Sequence, residues 1–482
     1  MSSSSLDTGR RYVGTKETLA FGVANGGQVM SFSLITSYLT YFFVNVFNID
    51  PKIVAGMLFI EGIWDTLNDP LMGTVVDRTR TRFGKLRPYL LGIPLPMALS
   101  VFLFFLGPLI ITNPSPTAPI KIVYMTLTYF LWEFLYTISD VPFWGMAAAI
   151  SPSPADRTRT ITSARFISGI VGSIPGILMP IIMDLSNSGI INIKIKNLFF
   201  VCGVSFGIIG MSLFLLSGIF ARERVAQSLE EPNLIECLRS ISQNPPLKLI
   251  ILQNILGALS GVGGIFSTYY FIDVLGSASA ALVIGIPGAV VSLFSFALIS
   301  QVKKRFNNKQ IVIGSKLISD ALNVIMFFIA IKRYSNIGFM IPLLMVKSTL
   351  TAFFSGVNSV VPTEMIADTV DYMEWATGQR SEGMSFSVLT LIGKLNGAVA
   401  RSVGSLLISV IGYQTSQTHA VIPQTEAVKF RIFAMNSIVP TLLGIFSVIP
   451  MFFYDLVGDK HKRILEELAL RREEIANLAS SE

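Results

Sequence analysis

Twelve predominantly apolar stretches of about 20 residues or more, parted by short polar loops, run from residue 18 to residue 455. Each is long enough to cross a hydrocarbon layer of about 30 Å as a helix. The spans are 18–46, 53–76, 88–112, 120–150, 160–184, 197–221, 247–275, 278–302, 310–332, 337–373, 382–412 and 429–455. Lipid offers the backbone no hydrogen bonds, so each span must satisfy its own as a helix. The pattern predicts an all-α membrane protein with twelve transmembrane helices.

The polar loops set the orientation. With the N-terminus inside, the inner loops hold DRTRTRFGKLRP after segment 2, KKRFNNK after segment 8, and a tail with Lys460, Lys462, Arg463, Arg471 and Arg472. The outer loops carry at most two basic residues each. Lysine and arginine concentrate on the cytoplasmic side, so both ends are expected in the cytoplasm, at a plasma or inner membrane. The longest interior polar stretch, RERVAQSLEEPNLIECLRSISQNPP at 222–246, reads as a cytoplasmic linker between six-helix halves at 1–221 and 247–455. In the tail, 456–482, Ile464, Leu465, Leu468, Ile475 and Leu478 fall mostly on one stripe. That stripe predicts an amphipathic helix resting on the bundle or on the membrane surface.

The halves echo each other. Phe42-Phe43-Val44-Asn45-Val46 matches Tyr270-Phe271-Ile272-Asp273-Val274, Arg82-Phe83 matches Arg305-Phe306, and Val141-Pro142 matches Val361-Pro362. The order and the nearly constant offset argue for a duplicated six-helix unit. Six passes is an even number, so both copies enter from the same side as parallel repeats. Major facilitator transporters have this arrangement and bind substrate between the halves near the midplane.

Composition narrows the class further. Hydrophobic residues make up 51% of the 482 positions and charged residues 14%, with a mean hydropathy of +0.62, which excludes a soluble domain of this length. The net charge of +7 resides in short loops and implies no nucleic-acid partner. Cys202 and Cys237 fall in no ligand-spaced cluster and imply neither a disulfide nor a metal site. The opening MSSSSLDTGRRYVGTKET lacks the apolar core of a signal peptide. The first apolar segment is therefore expected to stay in the mature protein.

Against that background the intramembrane charges stand out. EGIWDTLNDPLMG, residues 61–73, places Glu61, Asp65 and Asp69 four apart on one helical face. Facing lipid would cost an ionised carboxyl several kcal/mol, so the face must look into protein or a water-filled cavity. Asn68 sits beside it. Two carboxylates one turn apart with an amide oxygen suit a hard monovalent cation or a shared proton. The alternative is an interior polar network tied to a basic partner such as Lys394.

Segment 4 carries a second face, Glu133, Thr137, Asp140 and Trp144 within LWEFLYTISDVPFWG. An aspartate can accept two hydrogen bonds from vicinal hydroxyls while an indole covers the apolar face of a sugar ring. Asp140 with Trp144 reads as such a clamp, packing being the alternative role for Trp144, and Trp132 is expected as an interface anchor. Arg165 and Lys394 lie deep enough to need an acid or a ligand. Arg165 could fork onto Asp140 and Lys394 could bridge towards Asp65 or Asp69, and both also make sense as structural ion pairs. Lys316, Asp320 and Asn323 form a structural cluster, with Lys347 a possible neighbour.

NDPLMGTVVDRTRTRFGKLRPYLL resembles the loop motif of the glycoside-pentoside-hexuronide:cation symporters, typified by the melibiose permease. YTISDVPFWGMAAAIS, RTITSARFISGIVG and IADTVDYMEWATGQRSEGMSFSVLTLIGKLNGAVA resemble the same family's segments 4 to 5 and 10 to 11. The resemblance spans all twelve helices and implies the major facilitator fold and uptake of a glycoside driven by Na⁺, Li⁺ or H⁺. It implies cation-site roles for Asp65 and Asp69, with Asn68 and Thr137 beside them, and sugar-site roles for Asp140, Trp144 and Arg165. Lys394 matches the lysine coupling the two sites. Asp77, Arg78, Arg82, Asp371, Glu374 and Arg380 fall where the family keeps cytoplasmic gate contacts.

One position departs from the family. Its members commonly hold an aspartate in segment 1, but AFGVANGGQVM contains no acid and Val29 stands there. Glu133 could replace the lost carboxyl, or its loss beside Arg165 and Lys394 could admit an acidic sugar. The expectation is a monomeric symporter of a glycoside or short oligosaccharide. It performs no covalent chemistry, needs no cofactor beyond the coupling cation, and has the sugar and the bilayer as its partners. Competing readings are a cation-coupled lysolipid or amphiphile carrier and a non-transporting membrane sensor.

Overall fold

The computed structural model describes residues 11–225, 242–378, 382–415 and 423–481. Among them the named elements are all helices, and grouped by continuity they make twelve passes followed by a tail helix. The first six passes are α1 (Thr15–Tyr41), α2 (Pro51–Arg78), α3 with α4 (Arg87–Gly92, Pro94–Ile110), α5 (Pro119–Ala149), α6 with α7 (Pro154–Gly172, Ile174–Asn187) and α8 (Ile195–Phe220). The second six are α9 with α10 (Pro245–Gly257, Val262–Tyr269), α11 (Ala280–Lys303), α12 (Asn308–Ala330), α13 with α14 (Ile337–Ala352, Ser355–Thr377), α15 (Glu382–Val410) and α16 to α18 (Glu426–Asn436, Ile438–Gly444, Ile449–Phe453). The tail is α19 (Gly458–Ser481).

Seven continuous spans are long and apolar enough to cross a bilayer, and the bent pair Glu426–Asn436 with Ile438–Phe453 makes an eighth. The other passes are α2, α5 and α15, which carry charged side chains, and the broken pair α3 with α4. Composition alone therefore undercounts the spans where polar function sits.

Local chemistry explains the helix starts. Proline opens α2, α4, α5, α6 and α9, where a missing N–H costs nothing. Asp50 caps α2 by accepting from Lys52 N at 2.8 Å, and Asn307 with Gln310 forms a capping box at α12. The internal repeat has a structural counterpart. Phe42–Val46 and Tyr270–Val274 are both π-helical turns closing their passes, and Pro142 and Pro362 both lie inside helices. The Arg-Phe pairs each follow the end of a helix, α2 and α11.

The chain forms two compact units. The first comprises Met1–Glu230 with Ser277–Ser279 and Ser405–Pro423. In it α1 lies against α6 and α8. A Cβ on Gly27 would come within 2.2 Å of the Gly210 carbonyl oxygen, so the two backbones touch where only glycine fits. Trp132 is fully buried and stacks on Tyr129 at 5.8 Å and Phe32 at 5.9 Å. This corrects the expected interface anchor: the ring belongs to the aromatic core that also holds Phe42, Phe104 and Phe105.

Carboxylates pin the polar ends of this unit. Asp184 of α7 accepts from Ala278 N, Ser279 N and the Ser277 hydroxyl at 2.7–2.9 Å. Asp156 accepts from Tyr12 N and Val13 N. Glu17 forks onto Arg224 at 2.9 and 2.8 Å, and its carboxylate holds the guanidinium above its ordinary pKa.

The second unit comprises Glu231–Gly276, Ala280–Gly404 and Gln424–Glu482. Its core includes Val361, Met365, Tyr454, Leu456, Ile464 and Leu468, so the tail helix rests on helices of its own unit. Trp375 Nε1 donates to Glu467 Oε2 at 2.5 Å, Arg471 donates to the Trp375 carbonyl at 2.8 Å, and His461 lies 3.4 Å from Asp368. The side chains of Ile475 and Leu478 lie outside the described residues.

The loop after α2 depends on one acid. Glu223 accepts the backbone N–H groups of Lys85, Leu86 and Arg87 at 2.9–3.0 Å, satisfying donors at the start of α3. Gly84, at φ +107°, lies so close that a Cβ would meet the carboxylate at 2.4 Å. Glu223→Ala is expected to cost about 1–3 kcal/mol by stranding these donors, read as a lowered thermal midpoint of the detergent-purified protein. An unchanged midpoint would mean that Glu223 does not hold the loop.

Candidate functional site

Helix α2 is amphipathic in a membrane sense. Ile60, Ile63, Leu67, Leu71 and Val75 are exposed on one side, whereas Glu61, at 1% exposure, and Asn68 are buried and Asp65 and Asp69 half-buried on the other. The acids therefore face protein, as the desolvation cost of a lipid-facing carboxylate requires. Helix α2 packs against α5, and Thr137 Oγ1 donates to Asp69 Oδ1 at 3.3 Å. The two acid-bearing faces meet there.

The face of α5 continues from that point. Glu133 and Thr137 are buried and Asp140 is half-buried. The Tyr136 ring, stacked on Phe32 at 4.7 Å, sets its hydroxyl in the field of Asp140, Glu133, Asp65 and Asp69. From α1, Gln28 Nε2 donates to Asp140 Oδ1 at 3.1 Å and to Ser139 Oγ at 3.0 Å.

Trp144, one turn beyond Asp140 on α5, meets Arg165 of α6. The guanidinium carbon lies 4.9 Å from the Trp144 ring centroid, a cation–π geometry. Among the described residues Arg165 forms no ion pair, so of the pairings open in the sequence the fork onto Asp140 is not the one adopted. The Trp144 ring also meets Phe143 edge-on at 5.5 Å.

The donors gathered around Asp65, Asp69, Asn68 and Thr137 are oxygens of carboxylates, an amide and a hydroxyl, with no thiolate or imidazole. This set fits a hard monovalent cation or a proton. Asp140, its amide partner and the cation–π pair fit hydroxyl recognition with an apolar sugar face.

The remaining residues are distributed as follows. Lys394 lies on α15 in the second unit, and Asp371 and Glu374 lie in the last turns of α14. Arg78 ends α2, and Arg82 lies over the Phe83 ring at 4.8 Å. The Asp77 side chain and Arg380 fall outside the described residues. Lys316 pairs with Asp320 at 2.5 Å and Asn323 donates to Thr441 at 3.2 Å, as a structural cluster would. Gln28, Tyr136 and Ser139 are members of the site that sequence reasoning passed over. The one available signal was spacing: Tyr136 and Ser139 interleave the acids of α5, and Gln28 is the long polar side chain beside Val29.

Residues 20–458 match the family model described as MFS/sugar transport protein. The chain is 25% identical to the inner membrane symporter YicJ of Escherichia coli over 94% of its own length and 95% of the other. It is 24% identical to the glucuronide carrier protein homolog of Escherichia coli, covering 92% and 93%. To the isoprimeverose transporter of Lactiplantibacillus pentosus it is also 24% identical, covering 91% and 88%. Among solved structures, a bacterial homolog of the human lysosomal transporter Spinster superposes with a TM-score of 0.62 at 12% identity, covering 91% of this chain and 95% of that one. The D-xylose-proton symporter superposes with a TM-score of 0.58 at 14% identity, covering 92% and 98%.

Proposed function

The chain belongs to the MFS/sugar transport family, among the glycoside-pentoside-hexuronide:cation symporters, and from that premise we propose that it couples inward movement of a glycoside or short oligosaccharide to Na⁺, Li⁺ or H⁺. The observation that carries this reading is the continuous polar face from Asp65 and Asp69 through Thr137 to Asp140 and Gln28. It supports reading the oxygens of Asp65, Asp69 and Thr137 as the cation site and Asp140 as the hydroxyl-binding acid.

The coupling follows from electrostatics. Two carboxylates one turn apart repel, and a cation entering between them relieves that repulsion. Thr137, one turn before Asp140 on α5, carries the change towards the sugar-holding carboxylate. Each ligand binds the state the other favours, which is the condition for coupled transport. Alternating access then carries both ligands across the membrane.

Within the glycosides, an acidic sugar has a ready partner in Arg165, whose guanidinium offers five donors and forms no ion pair among the described residues. The similarity to a glucuronide carrier homolog supports including that class.

Thermal unfolding in detergent tests this reading against methyl glucosides, galactosides and xylosides, methyl glucuronide and lysophosphatidylcholine, each with and without Na⁺ or Li⁺ at two pH values. At 100 times its dissociation constant a ligand stabilises by about 2.7 kcal/mol. A sugar shift that grows with one cation is expected, and a shift from the lysolipid alone would replace the sugar reading with a lipid carrier.

Asp69→Asn is expected to abolish cation-driven accumulation in vesicles while leaving some sugar binding. Unchanged uphill uptake would move the cation site elsewhere. Asp140→Ala is expected to weaken sugar binding by at least about 10-fold, the scale of a lost charged hydrogen bond, with cation binding retained. Wild-type sugar affinity in that variant would remove Asp140 from the site.

A further inference from the structure

Helices α1 and α5 run antiparallel, and their side chains meet in order. Phe21 stacks on Phe143 with centroids 4.2 Å apart, Gln28 reaches Ser139 and Asp140, and Phe32 stacks on Tyr136 at 4.7 Å. Gln28 is the polar rung between two aromatic rungs, and only 2% of it is exposed. Its amide has little freedom to move.

Both protons of that amide are spent. One goes to Asp140 Oδ1 and the other to Ser139 Oγ, while Ser139 uses its own proton on the Tyr136 carbonyl at 2.7 Å. The serine oxygen must therefore accept, and this sets which way the Gln28 amide points. The remaining proton is aimed at the carboxylate. A neutral donor fixed in this way restricts rotation of the carboxylate about its last torsion.

From this we infer that Gln28 is a positioning residue for sugar recognition: it holds the Asp140 carboxylate in one orientation, without adding charge. The inference rests on the glycoside reading of the site. It also accounts for segment 1 lacking an acid at Val29. With an amide next to it already holding Asp140, α1 contributes a neutral donor to this wall of the site where a carboxylate would add charge.

Two variants test it. Gln28→Leu keeps the bulk and removes the donors. Gln28→Glu keeps the shape and substitutes a carboxyl that can donate only when protonated. The probe is the methyl glycoside giving the largest thermal shift on the wild type, titrated calorimetrically at pH 5.5, 6.5 and 7.5, with Na⁺ or Li⁺ titrated separately as the control for folding.

Gln28→Leu is expected to weaken glycoside binding by about 10- to 100-fold while cation binding holds. For Gln28→Glu the sign is set by the pair. At low pH a shared proton restores the donor, and as pH rises both carboxyls ionise and repel. Glycoside affinity of Gln28→Glu should then fall by about 10-fold or more across the range relative to wild type. A merely structural role would not produce that added pH dependence.

Gln28→Leu binding within twofold of wild type, or a Gln28→Glu pH profile parallel to wild type, overturns the assignment. If the wild type binds no glycoside, the glycoside reading itself fails and the role of Gln28 fails with it. Should Gln28→Leu not fold, as shown by lost cation binding, the Gln28→Glu profile decides alone.

Discussion

Moving a carboxylate out of water without a partner costs several kcal/mol, and this chain places Glu61, Asp65, Asp69, Glu133 and Asp140 within its membrane-spanning helices. The constraint dictates the rotation of α2, whose Ile60, Ile63, Leu67 and Leu71 turn outward and whose acids turn inward. It dictates the packing of α2 on α5, where Thr137 meets Asp69. It also requires α1 to bring something polar to Asp140, and Gln28 is that side chain. Three helices are thus oriented by one electrostatic requirement and meet along one polar face.

The twelve passes, the inward acids and the repeat were legible because each leaves a periodic or compositional mark. The π-helical turns at Phe42–Val46 and Tyr270–Val274 show that a short matched pentapeptide can report a shared backbone irregularity. Pairing partners were less legible. Arg165 had an acid on offer in Asp140 and stands over Trp144 instead, because an aromatic face one turn beyond the aspartate competes for the same guanidinium. Trp132 was misplaced for a related reason: an indole in an apolar helix reads alike whether it meets headgroups or a stack of Tyr129, Phe32 and Tyr136. Gln28 was passed over because attention fell on the missing acid next to it, and only three-dimensional packing brings its amide to α5.

Outside the membrane, the first unit uses one device in several places. A carboxylate gathers backbone donors or a guanidinium and so fixes a segment that has no core of its own. Glu223 holds the loop after α2, Asp156 the segment before α1, and Glu17 the stretch after α8. In the second unit the tail helix adds apolar burial through Ile464 and Leu468 and is fastened at Trp375 by Glu467 and Arg471. These ties keep the connecting segments ordered while the membrane helices carry the polar face.

The most direct test of the central claim is uptake of a radiolabelled glycoside into proteoliposomes with an imposed Na⁺, Li⁺ or pH gradient and no other energy source. Coupling through the acid face of α2 predicts accumulation above the external concentration with one of these gradients, collapsing when the gradient is dissipated. Equilibration to the same internal level with and without every gradient would contradict it and leave a passive carrier in its place.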